Sequence, residues 1–113
     1  MLQPTSDLIT SLPAGGYLIV PVKLMDQLHR FRQLGIDDSE AGGVLIGCLR
    51  CHESSGIAAG PTHIELIDCT VPNWWDKRSR FSFVRRSRHH LKKVWQAWER
   101  SRQEQSYLGE WHT

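Results

Sequence analysis

A chain of 113 residues is long enough for one domain with a single core and too short for two. Its 40% hydrophobic and 23% charged content is that of an ordinary globular protein, which excludes wholesale disorder, and a net charge of only +2 argues against a general nucleic-acid binder. No run of 18 apolar residues occurs, and residues 1–13 lack the basic start and apolar stretch of a signal peptide, which argues against a membrane span and predicts a cytoplasmic location.

Tyr17-Leu18-Ile19-Val20, after Gly15-Gly16, reads as a first strand. From Val22 to Leu34 the apolar residues Leu24, Met25, Leu28, Phe31 and Leu34 fall at helical spacing, with Gly35 placed as the C-cap. Asp37-Asp38-Ser39 leads into Glu40, and Val44-Leu45-Ile46 is the continuous apolar run of a strand buried on both faces. Cys48, Cys51 and Cys69 are an odd number without an export signal, which favours free thiols. Cys48-Leu49-Arg50-Cys51-His52 matches the haem-attachment spacing, and a zinc site of Cys48, Cys51, His52 and Cys69 is a further option; two thiols flanking a hairpin and a third on a neighbouring strand is the simpler reading.

Residues 53–61 are rich in turn formers. Ile64 to Val71 reads as a strand with Ile64 and Leu66 on one face and Ile67, Cys69 and Val71 on the other. Trp74 to Arg80 reads as a basic, aromatic-led loop, Phe81-Ser82-Phe83 as a short extended piece, and Arg86 to Gln103 as a second helix with Leu91, Val94, Trp95 and Trp98 as its apolar stripe. Tyr107 to Thr113 is a last strand. The expected order is strand, helix, strand, strand, helix, strand, an α/β layer arrangement in one domain over residues 1–113.

Two motifs add a resemblance. Leu108-Gly109-Glu110-Trp111-His112-Thr113 resembles the opening of the Leu-Gly-Glu-Trp-His-Thr-His-Pro segment of prokaryotic JAMM (MPN-plus, JAB-domain) metallopeptidases. Glu40 to Gly47 resembles the Glu-x-x-Gly-hydrophobic-Leu-hydrophobic-Gly segment of the same family. The likeness runs from Tyr17 to Thr113 and is nearest to the branch found with E1-like and E2-like conjugation genes in antiphage, CBASS-like, and mobile-element islands. It implies a deaminase-like three-layer MPN fold, a mixed central sheet flanked by helices, and a Zn2+-dependent isopeptidase that removes or processes a ubiquitin-like modifier. The implied partners are the modifier or its conjugates, E1/E2-like proteins and a nucleotidyltransferase target.

On that resemblance His112 is the first zinc ligand and Glu40 the general base. Amide hydrolysis needs a carboxylate that takes the proton of the attacking water and returns it to the leaving amine. The family's second His, its Ser and its Asp would follow Thr113, so the expectation is a C-terminally incomplete domain that holds zinc loosely and is inactive by itself. Glu110 shares a strand face with His112 and is expected to support the imidazole.

A rival reading is a non-catalytic MPN-like interaction module. A third is a nucleic-acid binder built on Lys77, Arg78, Arg80, Arg85, Arg86, Arg88, Lys92 and Lys93 with Trp74 and Trp75 beside them, which the low net charge disfavours. His89 and His90 are expected on the helix surface, because neighbours on a helix point about 100° apart and do not chelate one ion.

Overall fold

The structure, a computed structural model, describes residues 6–33, 38–51, 62–73, 76–79, 82–85 and 88–113, without the side chains of 51, 77, 79 and 82–84. The elements in chain order are β1 (Leu8–Ser11), β2 (Tyr17–Val20), α1 (Val22–His29), β3 (Gly42–Cys51), β4 (Thr62–Cys69), β5 (Lys77–Ser79), β6 (Ser82–Val84), α2 (His89–Arg100) and β7 (Ser106–His112). Five strands form one sheet in the order β1-β2-β4-β3-β7, and β5 and β6 form a separate hairpin. Since β2 runs parallel to β4 while the other pairs are antiparallel, the sheet is mixed. The α/β arrangement with a mixed sheet and two helices matches the sequence expectation.

Strand β1 was not anticipated: all four of its side chains are exposed, so it shows no in-out alternation. The β5 hairpin strand likewise occupies part of the expected loop. Helix α1 stops at His29, earlier than its apolar spacing suggests, and the chain tightens into i→i−3 bonds from Phe31 N–H to Leu28 O and from Arg32 N–H to His29 O. Leu34 and Gly35 lie outside the described residues. At its other end Asp7 Oδ1 accepts the Val22 N–H at 2.8 Å, a carboxylate placed against the positive end of the helix dipole.

Two bulges set which side chains point where. In the β3/β4 pair, Ile46 faces Asp68 and Gly47 faces Leu66, so Ile67 is an extra residue. It reverses the alternation and brings Ile64, Leu66, Cys69 and Val71 to one face, where strict alternation had divided them. These residues join Val20 and Leu24 in the core, with Met25, Leu28, Leu45, Leu108 and Trp111 packed around it. In the β3/β7 pair, Leu45 faces Gly109 and Ile46 faces Tyr107, so Leu108 is the extra residue beside Gly109, whose φ is 155°.

Helix α1 covers the face that carries Leu45, Leu66 and Trp111, while α2 lies against the opposite face. The stripe on α2 differs from the expected one. His90 and Ala97 are buried, whereas Leu91 and Trp95 are 64% and 61% exposed. The helix is thus rotated by about one residue from the phase its largest apolar side chains suggest, because the inner surface of the sheet accepts small and polar groups there. Among the described residues no helix is long and apolar enough to cross a membrane.

Candidate functional site

The two sequence motifs meet at one end of the sheet. Gly42 of β3 pairs with His112 of β7, and the ladder continues one residue further through Thr113 N–H to Ala41 O at 2.9 Å. The Thr113 hydroxyl accepts the Ala41 N–H at 2.9 Å, which fixes the segment leading out of Glu40. Residues opposite one another share a face, and so do residues two apart, so positions 42, 44, 110 and 112 share the α2 side, and Glu40 lies two residues before Gly42. Gly42 opposite His112 leaves that spot without a side chain. The hairpin closes on the same place, with Arg78 Nε donating to Glu40 O at 2.9 Å.

His112 itself is exposed, and the nearest partner of its ring is the adjacent Thr113 O at 3.4 Å, too long to orient an imidazole. Glu110, expected to support it, is instead ion-paired with Arg85 at 2.8 Å. The face is shared as expected; the carboxylate is engaged elsewhere. Trp111 between them turns to the α1 side, donates its indole N–H to Thr70 O at 2.9 Å and packs on Phe31 with ring centroids 5.6 Å apart.

A second constellation lies beneath this edge. Thr70, Asp76 and His90 are 1%, 8% and 0% exposed. His90 Nε2 donates to Asp76 Oδ2 at 2.8 Å, and its Nδ1 receives the Thr70 hydroxyl. The same Thr70 oxygen accepts the Val44 N–H at 2.9 Å. Burial pushes the His90 imidazole below its ordinary 6.5, against the opposing pull of its bond to Asp76, so the ring is neutral. His89 completes the group: Nε2 donates to Val71 O at 2.8 Å, Nδ1 meets Asn73 Nδ2 at 2.9 Å, and the two imidazole centroids are 3.9 Å apart.

The placement of both histidines on the helix surface is therefore overturned. Residues 89 and 90 open α2, where the second ring drops inward and the first leans back along the chain after β4. One ligand atom from each of Asp76, His89 and His90 lies within 4.8 Å of the others, so the three form a group that could hold a metal ion. The helix phase was the signal available in the sequence: His90, Val94 and Ala97 recur at helical spacing as a narrow stripe, overshadowed by the tryptophans.

Among the described residues, three side chains of the basic stretch are engaged within the chain. Arg78 is used on Glu40 O and Phe31, Arg85 on Glu110, and Lys93 on Asp68 at 3.3 Å and Cys69 O at 2.8 Å. Trp74, Trp75, Arg80 and Arg86 lie outside the described residues. Cys48 and Cys69 are buried free thiols, and the register puts them on opposite faces of the sheet, so they do not share an ion. The side chain of Cys51, and all of His52, lie outside the described residues.

No family profile matches the sequence. Over 96 residues the chain is 35% identical to a Vibrio cholerae protein named CD-NTase/cGAS isopeptidase, covering 85% of this chain and 55% of that one. A Pseudomonas aeruginosa protein of the same name is 36% identical over 89 residues, 76% of this chain and 50% of its own. An Escherichia coli counterpart is 30% identical over 98 residues, 87% of this chain and 56% of its own. The chain is thus similar to proteins named as isopeptidases, and it spans about half the length of the curated relatives it matches.

Proposed function

We propose that residues 1–113 belong to a JAMM-type MPN domain whose activity is to cleave the isopeptide bond joining a ubiquitin-like modifier to its target in a bacterial antiphage system. The observation that supports this reading is the β3/β7 register, which pairs Gly42 with His112 and so sets the segment that follows Glu40 beside the histidine. The names of the relatives support a CD-NTase as the conjugated protein; E1/E2-like enzymes supplying the conjugate are what the motif resemblance implies.

Glu40 acts as the base, accepting a proton from the water that attacks the amide carbonyl and passing it to the departing amine. Glu110 is the less suitable carboxylate because Arg85 already neutralises it. His112 is the first ligand of the zinc that the resemblance implies. Among the described residues the edge offers one imidazole, with Glu40 given the role of base and Glu110 paired with Arg85, fewer than the three protein ligands of a catalytic zinc, so these residues alone do not hold that ion.

The protein expressed from its intact gene is expected to cleave an isopeptide-linked conjugate of a nucleotidyltransferase, with Glu40→Gln slowing turnover by about 100-fold or more. Undiminished turnover in Glu40→Gln would refute the assignment of the base. A conjugate that is bound but never cut by the unaltered protein would favour the non-catalytic module instead.

A further inference from the structure

We infer that Asp76, His89 and His90 form a structural binding site for a divalent transition-metal ion, zinc above all, separate from the His112 edge. Two imidazoles and one carboxylate are a donor set suited to zinc, and their ligand atoms already lie within 4.8 Å of one another. In a tetrahedral site with bonds of about 2.0–2.1 Å the donors stand roughly 3.3 Å apart. The His90 Nε2 to Asp76 Oδ2 separation of 2.8 Å is close to that edge length, so an ion entering between them displaces one proton and moves the atoms little.

The surroundings are those of oriented ligands. Metal-bound histidines donate their other ring N–H to an oxygen that fixes the ring. His89 does this in the structure, giving Nε2–H to Val71 O and leaving the Nδ1 lone pair for a cation in place of the Asn73 amide. The Thr70 hydroxyl serves His90 in either tautomer, donating to Nδ1 without metal and accepting from Nδ1–H when the ion holds Nε2. Asp76 Oδ2 is steadied by the Asn73 N–H at 3.0 Å. All three orienting groups come from the segment 70–73 that leaves β4, so one ion ties that segment to the start of α2 and to the approach to the β5/β6 hairpin.

The site is distinct from the proposed active centre, and neither depends on the other. The test uses the 113-residue protein stripped with a chelator and then equilibrated with one equivalent of zinc or cobalt(II). The expected results are one metal ion retained per chain on dialysis, the visible bands of a tetrahedral cobalt centre, and a higher melting temperature with zinc. His90 and Asp76 are buried and their variants risk misfolding, so the decisive variant is His89→Ala on the half-buried first turn of α2. It should weaken metal binding by more than the roughly 10–100-fold that loss of an outer partner costs, whereas His112→Ala should leave binding unchanged. No retained metal, binding lost in His112→Ala but kept in His89→Ala, or the charge-transfer bands of a cysteine ligand would each overturn the inference.

Discussion

Replacing Thr70 with Val swaps the hydroxyl for a methyl group of nearly the same size and isolates the role of one buried oxygen. That oxygen serves two partners, the Val44 N–H and His90 Nδ1, and all three residues are at most 1% exposed. Each buried polar group left without a partner costs about 1–3 kcal/mol, so the pair amounts to about 2–6 kcal/mol, a large share of the roughly 5–15 kcal/mol that holds a domain together. The backbone bonds of Thr70, its N–H to Val44 O and its carbonyl to the Trp111 indole, survive the change and keep the strand in place. Thr70→Ser retains the hydroxyl and loses one methyl, about 1 kcal/mol. Urea unfolding in the presence of chelator, followed by tryptophan fluorescence, gives the stabilities, and hydrogen exchange reports the Val44 amide directly. Should Thr70→Val match Thr70→Ser in stability, with the Val44 amide still protected, the hydroxyl does not join β3 to α2.

The phase of α2 predicts that Ala97→Leu destabilises by about 1–3 kcal/mol through overpacking, while Trp95→Ala changes stability by less than about 0.5 kcal/mol; thermal melts in the reverse order would restore the tryptophan-based stripe. Burial, with the Asp68 charge adding to it, raises the Cys69 thiol from its ordinary 9.0 to about 11. The unfolded chain then releases this proton before the folded one, so stability falls as pH rises from about 9 to about 11, and Cys69→Ala should lack that decline in alkaline unfolding curves.

The central run Val44-Leu45-Ile46 and the ending Glu110-Trp111-His112 were legible because their sequences carry strong β-propensity and a distinctive string of residue types. Their pairing was not legible, since the order of elements along the chain does not say which strands lie side by side. Phase escaped as well. Ile67 inserts an extra residue into β4, and no residue in Ile64 to Val71 marks it, so alternation was counted straight through. In α2 the bulk of Trp95 and Leu91 outweighed His90, because hydrophobic size is a guide to burial only where the receiving surface has room. The partners of His90 made it invisible in isolation: Thr70 and Asp76 lie 20 and 14 residues away, and no local pattern joins them.

The bulge at Leu108 makes β7 a strand in two halves that count in opposite parity. Up to Tyr107 the odd-numbered residue faces α2; from Glu110 onward the even-numbered ones do. Deleting one residue there would leave composition almost unchanged and yet exchange the roles of the last side chains, sending the Trp111 indole towards α2 and the His112 imidazole into the packing against α1. The turn before the strand, 101–105, lies upstream of this switch, so changes in its length are absorbed before they reach His112. Homologous chains are therefore expected to differ freely in the turn and to keep fixed the number of residues from the bulge to the histidine.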